Sequence, residues 1–515
     1  MKHHNKGNIL FRLFLLVIIL LPTGSFAQKR VLVNIDRSKL SIFNNTTEMW
    51  RLLGDVIIRH NDVVMMCDSA YNFTKENMVE AYGNVHIIKS DTVNLYCQRA
   101  NYNSLTRLAH VRNNVKLTDP KITLTTDSMI YDMATSIAYY DCGGKIVDKG
   151  KASTLTSQIG RYFTQRDLFY FNKNVVLKNK EYTLKADSLK YNTLTGKAFI
   201  TGPTHIYGPN GTMYSESGWF NTKTNISEFS KNASITKGDQ ELKADTIDFN
   251  KLTGIGKARG AISITNKKER YTIKGNKGFY DDKNRRAHVS DKALFIQYSE
   301  KDTLYLHADT LYAQENPITR ERIIKAWYGV RFFKPDLQGK CDSLIYFSKD
   351  SIMRMYKSPV LWSADSQLSA NEIEMLPSGP NQSLVKMYQN SFMISREDTI
   401  GYNQIKGRNM IGHILKRELY KVDVNGNSQA VYYVSEEDAK KKQKKSVVGL
   451  NHVECTDIDI RLKQSKIHKV TFKTKPDCRL VPLDKIAEQD KELPGFKWLG
   501  LLRPKDKDDV LRDIK

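Results

Sequence analysis

Beyond Leu21 this chain of 515 residues has no apolar run approaching the length of a membrane-spanning helix. Before residue 435 it also has almost no amphipathic helical pattern. A helical bundle and a polytopic helical membrane protein are both excluded. Apart from the adjacent His3 and His4, the 11 histidines are scattered singly, and no His-Glu-x-x-His, Cys-x-x-Cys or Gly-x-Ser-x-Gly pattern occurs. Gly254-Ile255-Gly256 followed by Gly260 has the wrong last spacing for a dinucleotide fingerprint, and a strand pattern follows it. No metal, cofactor or catalytic residue is therefore assigned, and the chain reads as a non-enzyme. Cysteine is scarce, six in all. Cys67, Cys97 and Cys341 share one position in a repeat, and in-register neighbours such as Cys67 and Cys97 rarely reach disulfide torsions, so buried thiols are expected there. Cys455 and Cys478 are the better disulfide candidates in an oxidising compartment, with free thiols the favoured alternative.

The beginning of the chain has a targeting pattern. Lys2, Lys6 and Arg12 precede the apolar run Leu13 to Leu21, then Pro22-Thr23-Gly24 and the small-residue site Ser25-Phe26-Ala27. Residues 1–27 are thus expected to be a signal peptide, with an anchor helix as the alternative. Without them 77 basic residues face 56 acidic ones, a formal +21. For an exported chain that surplus suits lipid headgroups, anionic glycans or lipopolysaccharide rather than nucleic acid. Only Lys440-Lys441-Lys442-Gln443-Lys444-Lys445 concentrates the charge, and it reads as a solvated loop.

What dominates the sequence is a small residue followed by an acid or amide about every 30 residues: Cys67-Asp68, Cys97-Gln98, Thr126-Asp127, Ala186-Asp187, Ala244-Asp245, Ala308-Asp309, Cys341-Asp342. A second ladder runs out of phase with it, including Gly54-Asp55, Gly83-Asn84, Asn113-Asn114, Lys173-Asn174 and Lys231-Asn232. The two ladders predict two corners per repeat, in the order strand, corner, strand, turn. Around the first ladder Leu184 and Ala186, then Leu189 and Tyr191, alternate with polar residues, as Leu242, Ala244, Ile247 and Phe249 do one period pair later. These apolar positions form one face, and Lys185, Lys190, Lys243 and Asp248 the other. Val85 and Ile87 follow the second ladder and supply a facing wall. The fold class is all-β, an elongated repeat solenoid of about twelve repeats of roughly 30 residues.

The acids Asp68, Asp127, Asp187, Asp245, Asp309 and Asp342 read as structural corner residues, because Gln98, Gln158, Asn276 and Asn371 replace them elsewhere in the ladder and catalysis does not tolerate such exchange. The expected organisation is a repeat array over 28–434, a basic linker at 435–450, terminal strands over 451–480 and a tail at 481–515 with room for a short helix. A small insertion is expected near Gln314 to Arg322. The tail's Leu493-Pro494-Gly495-Phe496-Lys497-Trp498-Leu499 is expected to cap the open end or dock a partner.

With its leader, its Gly83-Asn84-Val85 turn and its Ala-Asp-Ser-Leu-x-Tyr segment at Ala186 to Tyr191, the chain resembles the OstA-like (LptA-like) family of organic-solvent-tolerance and lipopolysaccharide-transport proteins over roughly residues 30 to 400. The resemblance implies a V-shaped, open-ended β-jellyroll whose apolar interior shields acyl chains. Val85, Ile87, Leu184, Leu189, Tyr191, Leu242, Ile247 and Phe249 would then line a lipid groove. It also implies a periplasmic, outer-membrane-associated setting. The partners would be lipopolysaccharide through its lipid A, inner- and outer-membrane transport proteins, and another copy head to tail among the options. Val31, Val33 and Ile35 would form the docking edge. No outer-membrane barrel segment follows the repeats, and the rungs are longer than usual for the family, which points to a soluble bridge component. The alternatives are a structural or adhesive surface solenoid and, less favoured, a polysaccharide-processing β-helix enzyme.

Overall fold

The computed structural model describes residues 32–512 apart from 151–152, 210, 301, 317, 320, 398–400, 437–445 and 464–465. The leader, Val31 and the basic run at 440–445 therefore lie outside the described residues. The rest is almost entirely strand, 34 strands among the described residues, and the described pairings are all antiparallel, most of them between neighbours in the chain. Strands such as Val63–Phe73 and Met78–Lys89 are 11 and 12 residues long, so one sequence repeat is a hairpin of two strands.

The two ladders turn out to occupy the same level of the fold. Gly54-Asp55, Gly83-Asn84 and Lys231-Asn232 of the second ladder are bulges inside continuous strands, where the register slips between Leu53 and Val56, Tyr82 and Val85, or Ser230 and Ala233. Both residues of a bulge take left-handed φ: Gly54 75° and Asp55 47°, Gly83 75° and Asn84 40°, Lys231 57° and Asn232 60°. Glycine and asparagine tolerate that region best, hence their recurrence. The first-ladder acid faces the bulge of the next strand, as where Asn84 Nδ2 donates to Asp68 Oδ2 at 2.9 Å and Asn232 Nδ2 to Glu216 Oε1 at 2.8 Å. Both predicted corners are thus mid-strand bends that fold the long strands into two walls, with short strands such as Asn34–Arg37 and Leu40–Asn44 pairing with one half each. The chain reverses at a third ladder that the sequence reading missed. There Asn103, Asp132, Asn221 and Asn250 accept the backbone N–H groups two and three residues on.

The chain divides into two compact units, up to Asn172 and from Lys173. In the first, one wall presents Ile58, Met65, Ile87, Leu95, Leu117, Leu124, Ile146 and Leu155 as successive cross-strand neighbours, none more than 5% exposed. The other contributes fully buried Tyr102, Tyr131, Tyr140, Tyr162, Phe169 and Phe171. Tyr162 stacks on Phe169 with centroids 3.9 Å apart, and Tyr140 lies so close to Gly160 that a Cβ there would sit 2.2 Å from its ring. Opposite the bends, turns of the two walls are tied together. Lys121 pairs with Asp167 at 2.6 Å, Lys89 donates to Ser136, and Arg107 pairs with Asp62. Beneath them Tyr162 donates to Asp119 at 2.6 Å, and His60 Nδ1 lies 2.7 Å from the Tyr102 hydroxyl.

The second unit continues the hairpins to Glu418–Glu436, Ser446–Lys463, Lys466–Lys473 and Asp477–Pro482. The widened spacing near residue 315 is the connection between Thr303–Glu315 and Arg322–Lys334. The tail carries only single-turn 3-10 helices at Leu483–Lys485, Glu488–Asp490, Gly500–Leu502 and Asp509–Leu511. It lies across the outer face of the sheet, from Gln404 past Gln367 and Gln338 to Arg331, covering a face instead of capping an end. All six cysteines are free; burial pushes the Cys67 and Cys341 thiols up to about 12 and Cys97 to about 11. Cys455 is partly exposed and Cys478 exposed, each a free thiol.

Candidate functional site

The inner row that is closed in the first unit opens in the second. Starting from Leu184, which is fully buried, the cross-strand neighbours are Ile206, Met213, Ile235, Leu242, Ile264, Ile273 and Phe295, and all seven are partly exposed. The row is buried again at Leu306, 8% exposed, and Phe332, 3%. Antiparallel pairing makes this an unbroken apolar strip along one wall, roughly 30 Å long at about 4.8 Å per strand.

The opposite wall explains the difference. Its inner row reads Ile200, Gly218, Phe229, Ile247, Ala258, Gly278, Val289. Phe229 and Ile247 pack against the strip, flanked by Gly218, Ala258 and Gly278, in a row that the first unit also fills largely with small residues, Ala70, Ala81 and Ala100. The row beside it, fully buried at Tyr102, Tyr131 and Tyr162 in the first unit, continues as Phe220, Phe249 and Tyr280, of which Phe249 is partly exposed and Tyr280 is 44% exposed. Rings that stay in water leave too little side-chain volume between the walls to bury both faces, since interiors are close-packed.

Turns at the rim of the strip are basic and exposed: Lys237, Lys267, Lys268 and Arg270, with Asp239 and Glu269 among them. Ion pairs join the turns of the two walls at the start, middle and end of the stretch, namely Glu181–Lys251 at 2.5 Å, Glu269–Arg322 at 3.3 Å and Asp302–Arg417 at 2.7 Å. A hydrogen bond from Ser299, then Lys334 and Arg417, hold the Asp302 carboxyl below the usual range. Solvent-exposed pairs such as Glu181–Lys251 are each worth about 0–1 kcal/mol and present a weak barrier to separating the walls.

Of the residues expected to line a groove, Leu242 and Phe249 are partly exposed in this stretch, and Ile247 lies beneath the strip at 3%. Leu184, Leu189 and Tyr191 are buried at its start, while Val85 and Ile87 are buried in the first unit at 1% each. Lys185 and Lys243 are exposed. Ile206, Met213, Ile264, Ile273 and Phe295 were missed, and Ile235, which alternation marks as a wall residue, was not placed in the groove. Small residues on the facing wall give no signal, because Ala70, Ala81 and Ala100 stand there in the closed unit. Asp68, Asp127, Asp187, Asp245 and Asp309 are exposed and Asp342 partly so, each at a bend. Of the proposed docking edge, Val33 is partly buried before the first strand, and Ile35 pairs with Ile58 in Asn34–Arg37. Beside it Leu40–Asn44 pairs with the other half of Met49–His60, and Leu40, Ile42 and Phe43 on it are 50%, 46% and 42% exposed. Among the described residues no His, Cys, Asp and Glu cluster could hold a metal ion.

Residues 28–187 match the family model described as OstA-like protein. No curated protein matches the chain. The match ends just before the open strip begins.

Proposed function

We propose that this chain is an exported, periplasmic lipopolysaccharide-binding protein of transport type, holding acyl chains against the strip from Ile206 to Phe295. The observation that carries this reading is the contrast within one repeat position: Leu117 and Leu124 are fully buried, whereas Leu242 and Ile264 reach solvent. Each methylene that leaves water contributes roughly 0.8 kcal/mol, so several acyl chains on a continuous apolar strip give substantial affinity without any specific contact. A strip of roughly 30 Å equals the hydrocarbon thickness of a bilayer and exceeds the depth one chain fills in a leaflet. Lys237, Lys267, Lys268 and Arg270 at the rim suit the phosphates of lipid A.

On this reading the first unit, filled by its own aromatic rings, is an arm without lipid. Its exposed starting strand Leu40–Asn44 suits edge-to-edge pairing with another transport protein at the inner or outer membrane, or with a second copy. The packed first unit is also what a purely structural surface solenoid would have, and the open strip separates the two readings. Photoreactive residues at Leu242, Ile264 and Leu124 in purified protein exposed to lipopolysaccharide provide the test. Crosslinks at Leu242 and Ile264 but not at Leu124 are expected; equal labelling at all three, or none, overturns the reading.

A further inference from the structure

The tail's grip on the sheet follows a rule. Gln404 donates from Nε2 to the carbonyl of Lys491 at 2.7 Å and accepts the N–H of Leu493 at 2.8 Å. Gln367 does the same six residues along, donating to the Lys497 carbonyl at 2.8 Å and accepting the Leu499 N–H at 2.7 Å. The two gripped segments are Lys491-Glu492-Leu493 and Lys497-Trp498-Leu499, the same Lys-x-Leu pattern twice. Each glutamine amide thus reads one carbonyl and the N–H two residues on, as the edge of a β-strand would. Gln338 extends the series by accepting from Arg503 Nε at 2.8 Å, and Lys406 donates to the Pro494 carbonyl at 2.8 Å.

The site is built into the wall. Gln404, Gln367 and Gln338 are 1%, 0% and 3% exposed, and Trp362 donates its indole N–H to Gln367. Between the glutamines, Ile394, Val431 and Leu450 receive Leu493, with Phe496 and Trp498 alongside. A second apolar cluster, containing Leu361, Leu368, Met393 and Ile405, lies on the inner face of the same strands, so the groove is separate from the interior.

We propose that this outer groove is a recognition site for peptide that offers a backbone carbonyl and the N–H two residues on at six-residue intervals, with leucine at the first of them, filled here by the chain's own tail and able to take the tail of a second copy. Vacating the groove would exchange the tail's paired carbonyl and N–H groups for water at Gln367 and Gln404 and would wet the apolar floor of Ile394, Val431 and Leu450, so a vacated groove favours an occupant. The matching segment on hand is another copy's tail, which reproduces every contact, the condition under which exchange between protomers has little enthalpic cost. The connection from Pro482 to Lys491 contains only two single-turn helices and can extend. The inference is independent of any lipid.

Two experiments test it. In the first, a site-specific protease sequence is inserted after Leu483, the chain is cut and the tail removed, and a fluorescent peptide of residues 486–512 is added. Saturable one-to-one binding is expected, weakened at least about tenfold by Gln367→Ala with Gln404→Ala, and absent for a scrambled peptide. A cut protein that keeps its β circular dichroism yet ignores the peptide, or binds it equally in the double variant, overturns the proposal. In the second, which needs no tail removal, residues 484–487, with Ile486 that packs beside the groove, are deleted so that the shortened connection disfavours the tail's return to its own groove. Sedimentation should then show a dimer with the tail protected from trypsin; a monomer, with the tail protected or digested, overturns exchange.

Discussion

Leu242 lies directly across from Ile264 in an antiparallel pair, both partly open to water, while Leu117 and Leu124, paired in the same way at the same repeat position, are fully buried. Identical local chemistry thus gives two different surfaces, decided by what stands on the facing wall. Stability should record the difference. Leu117→Ala or Leu124→Ala should cost about 2–5 kcal/mol, the range for emptying a packed site. Leu242→Ala should cost about 1 kcal/mol, since much of that side chain is already hydrated. Equal losses in denaturant titration would mean that the strip is closed in solution.

Filling the strip from the opposite side should abolish lipid capture while leaving the chain folded. Ala258 stands among the small residues of that wall, so Ala258→Phe adds a ring where the acyl chains would lie. Crosslinking of Leu242 to lipopolysaccharide should fall severalfold, with a stability loss of about 1–3 kcal/mol because Ala258 is itself buried and a larger side chain there overpacks the site. Undiminished crosslinking would place the acyl chains elsewhere.

The bends should depend on backbone more than on charge. Asp245→Asn should change stability by about 1 kcal/mol or less, because an amide can make a comparable hydrogen bond. Gly260, at φ 70°, is different: a Cβ there would stand 2.1 Å from Asp245 Oδ2. Gly260→Ala should therefore cost about 1–3 kcal/mol from the left-handed φ, with the clash adding to it. A neutral Gly260→Ala would show that the strand can bend without this bulge.

Acid should loosen the first unit at His60. Burial, reinforced by Arg107, holds its imidazole below the ordinary value of 6.5. The folded unit therefore binds that proton less readily than the unfolded chain does. The resulting stability is complete above about pH 6.5, and is lost as pH falls from there through the folded value. His60→Gln, which keeps a partner for Tyr102, should flatten this part of the pH–stability curve. An unchanged slope would move the acid sensitivity to other groups.

At the first strands, Ile42→Lys should weaken edge-to-edge association, since a lysine on an exposed edge opposes pairing. Light scattering should show less self-association or partner binding, with unchanged thermal stability. Assembly that persists would remove this edge from the docking surface.

The sequence by itself determined the all-β repeat, its period and the inward positions. Alternation about Asp187 and Asp245 fixes which side chains share a face, and recurrent Gly and Asn mark where φ must turn positive. It did not determine which ladder reverses the chain, because Asn-Gly signals serve bulges and hairpins alike. Asn103 and Asn250 could be told from Asn84 and Asn232 only once the strands were paired. Nor did it determine where the interior is filled: Leu117 and Leu242 occupy the same pattern, and only the volume brought opposite them by tertiary folding buries one and leaves the other in contact with water. The tail's place was equally hidden, since Gln367 and Gln404 read as ordinary polar residues on a strand until the chain returns across them, more than eighty residues later.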